Sequence, residues 1–148
     1  MISNIFEPVT DFSKNPLPFI KRFWSMSQVP DTPAIKWGRE NEMNAIRDLE
    51  EQLQGTIIKT GLFVSRICPF IGASPDGIFQ DSIIEIKCPF ILKDVLPTDL
   101  RFLSLEQRRN FCCEQTLDGY KLKKSHKYYA QVMTQLFVTG YSKSIFCV

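Results

Sequence analysis

Apolar positions recur along this chain with two different periods, and the change of period divides it into helices and strands. From Ala34 to Gln54 the apolar residues Ala45, Ile46, Leu49 and Leu53 return every three to four positions, the spacing of an amphipathic helix. Asp31 or Thr32 can cap its start ahead of Pro33, and Gly55 can stop it. A second helical stripe, Tyr129, Val132, Met133, Leu136 and Phe137, predicts a helix over His126–Val138. Ser125 would be its cap, Gly140 its end, and Gln131 and Gln135 would lie on the flank of the stripe.

Between the helices the pattern shortens to strand length. Residues 56–64 read as a strand or bent hairpin around Gly61, and 68–73 as a second strand. Residues 77–80 form a third, and Ile83–Cys88 a fourth that Pro89 closes. Turns fall at Ser74-Pro75-Asp76-Gly77 and at Gln80-Asp81-Ser82. Ser104 can cap a short helix over Leu105–Phe111, and Phe111–Lys123 reads as a hairpin around Asp118-Gly119. Ser144–Val148 begins a last strand in which the chain stops. This order predicts an α/β (α+β) sandwich with a central mixed sheet flanked by helices. Residues 1–33 carry Pro8, Pro16, Pro18, Pro30 and Pro33 and read as an irregular arm holding Lys21 and Arg22. Residues 34–148 read as the folded domain.

Composition narrows the picture only a little. With 148 residues, 44% hydrophobic and 23% charged, one globular domain is the expectation. A net charge of +2 makes any polyanion-binding surface local. The candidate is the cluster Lys121, Lys123, Lys124 and Lys127, which is either a solvated face or a phosphate track. The odd cysteine count of five, with no C-x-x-C pair and one histidine, argues against zinc and for reduced thiols used as small apolar residues. No signal peptide is legible and no apolar run nears the roughly 20 residues of a membrane span. A soluble, intracellular protein with no membrane partner is the expectation.

The candidate chemistry lies between Gly72 and Phe90. Strand alternation puts Glu85 and Lys87 on one face and Ile84, Ile86 and Cys88 on the other. A carboxylate beside an ammonium can hold a divalent metal and offset charge on a phosphate. The same Glu-x-Lys could equally be an ordinary solvated face, and Ser-Pro-Asp-Gly an ordinary turn. Glu42 falls one turn back along the first helix's apolar stripe. It either points inward and needs a partner or reaches solvent from the stripe's edge; periodicity leaves both open. If Asp76, Glu85 and Glu42 converge on Lys87, Mg²⁺ or Mn²⁺ is the natural occupant.

Four pieces occur in order: Gly38-x-x-x-Glu42-x-x-Ala45, Ser74-Pro75-Asp76-Gly77, Glu85-Ile86-Lys87-Cys88-Pro89 and Ala130-Gln131-Val132. Together they resemble the PD-(D/E)xK nuclease superfamily, within it the YqaJ viral recombinase family that includes phage lambda exonuclease. The resemblance spans roughly Trp37 to Val148 and implies a restriction-endonuclease-like core. It implies a metal-dependent DNA nuclease, a 5′→3′ exonuclease on linear duplex DNA acting in recombination. Asp76, Glu85 and the backbone carbonyl of Ile86 would bind one metal, and Glu42 a second, with one or two Mg²⁺ or Mn²⁺ ions in use. Lys87 would position water and stabilise developing charge, and Gln131 would orient the site.

This sequence departs from the family pattern at Met133, where many relatives carry a second Gln. The arm shows no Arg/Ser pocket for a 5′-phosphate. The chain also stops inside its last strand where relatives continue, which reads as a truncated product with an unpaired edge. The resemblance leaves room for a recombination partner protein and for homo-oligomer formation. In a eukaryotic source it implies a nuclear, viral or mobile-element setting. The competing reading is a non-cutting DNA-binding or protein-interaction module on a nuclease fold, which would have little reason to keep Asp76, Glu85 and Lys87 together.

Overall fold

A computed structural model describes residues 31–95, 100–117 and 119–148. Nearly all of the proposed arm, including Lys21 and Arg22, and the hairpin residue Asp118 lie outside the described residues. Helix α1 (Pro33–Leu53) begins where the sequence places it: the Thr32 hydroxyl accepts the N–H of Ile35, and Pro33 occupies the first turn. Its end differs by one residue. Gln54, not Gly55, takes the left-handed conformation (φ 51°), and the N–H of Gly55 returns to the Glu50 carbonyl at 3.1 Å. The Glu50 side-chain carboxylate accepts the N–H of Ile57 at 2.7 Å, which ties the helix end to the residue that leads into β1.

The strands are β1 (Ile58–Lys59), β2 (Phe63–Val64), β3 (Gly72–Ala73), β4 (Gly77–Phe79), β5 (Ser82–Ile86), β6 (Cys113–Thr116), β7 (Gly119–Leu122) and β8 (Lys143–Cys147). The main sheet has the order β1-β4-β5-β8, with β8 parallel to β5 and the other pairs antiparallel. It is the mixed sheet expected. The stretch 56–64, expected as one strand or a bent hairpin, is divided into β1 and β2, which pair in different sheets, and 68–73 contributes only the two residues of β3. Among the described residues β2 and β3 pair with each other, and the loop between them, which carries Pro69, folds back through Ser65, whose N–H donates to Ile71 O. β6 and β7 form the expected hairpin, and α2 (Leu105–Asn110) starts on a capping box between Ser104 and Gln107.

Both faces of β5 are covered. Ile84 and Ile86 pack against Ile46 and Leu49 of α1 and against Ile57, with Ala45, Leu53, Cys88 and Cys147 around them. Each fully buried isoleucine contributes about 1.5–3 kcal/mol by transfer from water. Gly77 has no room for a side chain, since a Cβ there would run into Ile57 Cγ2; that glycine lets β4 close on β1. The opposite face, with Ile83 and Glu85, is roofed by helix α3 (Lys127–Thr139), which packs across β2, β3, β5 and β8. Among the described residues no helix is long and apolar enough to cross a membrane, and all five cysteines are free.

Candidate active site

Asp76 sits where β4 and β5 part. β4 starts at Gly77 opposite Ile84, and the Asp76 N–H donates to the Ile84 carbonyl at 3.0 Å. Its side chain then continues the ladder: Oδ2 accepts the backbone N–H of Ile86 at 2.7 Å. Among the described residues the other carboxylate oxygen accepts no hydrogen bond. The turn thus delivers one fixed and one available oxygen to the end of β5.

Glu85, at 0% exposure, is the most deeply buried charged group of the described residues. Its Oε1 accepts from Lys87 Nζ and from Gln131 Nε2 (2.5 Å), and its Oε2 accepts from Gln135 Nε2 (2.6 Å). A carboxylate this far from water is tolerable only when such donors replace its hydration. Burial pushes the Glu85 carboxyl above the usual range; Lys87 pulls against this, Asp76 adds to it, and Gln135 opposes it. Burial alone would lower the Lys87 ammonium, but the Glu85 carboxylate beside it holds it above its ordinary value, with a smaller push from Asp76. The two carboxylates and the lysine therefore share one electrostatic field.

Lys87 Nζ also lies 5.1 Å from the centre of the Tyr128 ring, and Lys127 Nζ lies 5.6 Å from the same ring. Tyr128 is flanked by His126 at 4.6 Å and Phe146 at 6.0 Å between ring centres. Tyr128 thus brings an aromatic face to the lysine, backed by His126 and Phe146.

Residues 19–142 match the model of the YqaJ-like viral recombinase domain. The chain belongs to that family. The match begins inside the segment read as an arm. Among solved structures the chain is similar to an alkaline exonuclease, LHK-Exo, from Laribacter hongkongensis, with a TM-score of 0.63 and 21% identity over 98% of this chain and 64% of that one. It is equally similar to LHK-Exo in complex with dAMP, with a TM-score of 0.64 and 20% identity over the same shares. At this identity the likeness is one of fold, and the chain spans about 64% of those chains' length. No protein of curated function is significantly similar in sequence.

Within this YqaJ-like domain the structure brings Asp76, Glu85, Lys87 and Gln131 to one place. Ile86 enters through its N–H, which holds Asp76. Glu42 stands on α1 at the same end of β5, half-buried. After burial and Cys147, its carboxylate and then that of Asp76 push the Cys88 thiol upward, so it lies within electrostatic reach of the strand. The lysine cluster divides. Lys121, Lys124 and Lys127 are exposed. Lys123 is not a free phosphate ligand: its ammonium donates to the carbonyls of Arg108 (3.3 Å), Arg109 (2.9 Å) and Phe111 (2.7 Å), closing the C-terminal end of α2.

Helix α3 corrects the sequence reading most. Its cap is His126, whose Nδ1 accepts the N–H of Tyr128 at 3.2 Å, and not Ser125. Its buried residues are Val132 and Gln135, whereas Met133 and Phe137 are 47% and 52% exposed. Val132 and, in part, Tyr129 and Leu136 lie inward as the apolar stripe predicts, but hydrophobicity alone would roll the helix further toward Met133 and Phe137. The surface below it contains a buried carboxylate, so the amide-bearing face turns inward. Gln135 and Tyr128 were thus missed as site residues. The one signal available was the pair of glutamines one turn apart.

A divalent metal is implied by the family. Among the described residues no group of three or more His, Cys, Asp and Glu lies close enough together to hold one. The donors on hand are the two carboxylates of Asp76 and Glu85. Two hard oxygen donors suit Mg²⁺ or Mn²⁺, which keep several waters and bind through one or two carboxylates plus substrate phosphate. They do not suit zinc, whose sites need nitrogen or sulfur ligands. The donor chemistry fits.

Proposed function

We propose that this domain is a metal-dependent deoxyribonuclease, a 5′→3′ exonuclease that digests one strand of linear duplex DNA during recombination. The observation that supports it most is the meeting of Asp76, Glu85 and Lys87 at the parting of β4 and β5, under the amide of Gln131. Family membership supports the recombination setting.

In this reading Asp76 and Glu85 hold the ion, with the Ile86 carbonyl as a further ligand and Glu42 serving a second ion. A bound Mg²⁺ or Mn²⁺ supplies polarisation of the phosphodiester and a more acidic water. Lys87, kept charged by Glu85, places a proton-bearing ammonium where negative charge grows on the phosphate. Gln131 keeps Glu85 Oε1 in place while Lys87 engages the substrate. Lys121, Lys124 and Lys127 track the DNA backbone at the rim.

The test is digestion of end-labelled linear duplex DNA with Mg²⁺, Mn²⁺, Ca²⁺ or EDTA, for wild type, Lys87→Ala and Asp76→Asn. Cutting with Mg²⁺ or Mn²⁺ that EDTA and both substitutions abolish is the expected result, and the label position reads polarity. A folded wild-type protein that binds DNA but cuts under no metal would make this a non-cutting module.

A further inference from the structure

Gln135 is 1% exposed, on the inner face of α3, and is among the largest fully buried side chains described. Its Nε2 donates to Glu85 Oε2 at 2.6 Å and, more weakly, to the carbonyl of Ser74 at 3.4 Å. Both acceptors lie on the nitrogen side, so the amide orientation follows from the contacts. Among the described residues its buried Oε1 has no hydrogen-bond partner. The unmatched oxygen costs stability, whereas the N–H groups on the other side of the same amide serve a carboxylate that is 0% exposed.

Those N–H groups reach two separate pieces of the proposed site. Ser74 opens the turn that carries Asp76, and Glu85 is the carboxylate at the centre of β5. Lys87 and Gln131 both act on Oε1 of Glu85; among the described residues Gln135 is the donor to Oε2. We infer that Gln135 is a positioning residue of this site, which holds the Glu85 carboxylate from the side opposite Lys87 and keys its orientation to the Asp76 turn. The inference rests on the nuclease reading for what Glu85 does, and on geometry alone for what Gln135 does to it. Partners of this kind around a liganding carboxylate change metal affinity or activity about 10- to 100-fold when removed.

The experiment compares wild type with Gln135→Met, which keeps the length and loses the donors. The readouts are Mn²⁺ affinity by electron paramagnetic resonance, kcat and KM on linear duplex DNA, and thermal unfolding. The expected result is a lower Tm, because a buried carboxylate oxygen loses its donor, together with an unchanged KM and losses of about 10-fold or more in kcat and Mn²⁺ affinity. A merely structural residue would move Tm and leave the others alone. Mn²⁺ affinity and kcat within twofold of wild type would overturn the inference.

If Gln135→Met does not fold, the wild type decides by itself. The Gln135 side-chain amide protons, followed by ¹⁵N NMR, should exchange with solvent far more slowly than those of the exposed Gln115 and should shift when Mg²⁺ is added. Equal exchange rates, or no shift in a protein that cuts DNA, would defeat the inference alone. Protected amide protons in a wild type that neither cuts nor binds Mn²⁺ would leave Gln135 holding Glu85 and defeat the nuclease reading instead.

Discussion

The Asp76 carboxylate accepts the backbone N–H of Ile86 at 2.7 Å, so an acid proposed for chemistry is also part of the sheet. The two duties separate by substitution. Asp76→Asn keeps an oxygen for Ile86 and loses the charge; Asp76→Ala leaves a buried N–H unpaired, which costs about 1–3 kcal/mol. Urea unfolding should place Asp76→Asn near wild type and Asp76→Ala below it, with DNA cutting lost in both. Equal stability of the two variants would show that the Ile86 bond carries no weight.

Lys87 neutralises a carboxylate with 0% exposure. Removing one partner of a buried pair strands the other charge, at about 3–5 kcal/mol. Lys87→Met should therefore unfold at clearly lower urea than wild type. Adding Glu85→Gln should recover most of the loss without restoring cutting. A Lys87→Met protein as stable as wild type would mean that Gln131 and Gln135 suffice to support the charge.

His126 caps α3 with a neutral Nδ1, and burial, then Lys127 and Lys123, hold its pKa below the ordinary value. The unfolded chain then takes up the proton first as pH falls. The cap's contribution is complete above pH ~6.5 and is lost on descending through that value toward the lowered folded pKa. His126 is the single histidine of the chain. Thermal unfolding should show Tm falling from pH 7 to 5 in wild type and falling less in His126→Asn, which caps without titrating. Parallel curves would exclude the cap as the cause.

The rim lysines are separable by salt. Alanine at Lys121, Lys124 or Lys127 should each lower the slope of log affinity against log salt by about 0.9 for duplex DNA if it meets a phosphate. Lys123→Ala should leave that slope unchanged and lower thermal stability, because its ammonium closes the end of α2. A reduced slope for Lys123→Ala would mean that it leaves those carbonyls for the DNA.

Local rules were enough to read much of this protein from its sequence. Alternation separated Glu85 and Lys87 from Ile84 and Ile86, helical spacing picked out Ile46 and Leu49, and Ser104 and Thr32 announced helix starts. Each of these depends on neighbours a few residues away. What the tertiary structure decided depends on distant partners. Hydrophobicity turned α3 toward Met133 and Phe137, but the surface beneath it contained Glu85, and a buried carboxylate needs donors more than a core needs two further apolar side chains. The helix turned accordingly, burying Gln135, 50 residues along the chain from the group it serves. Lys123 likewise looked like one of a row of surface charges until the end of α2 presented it with the carbonyls of Arg108, Arg109 and Phe111.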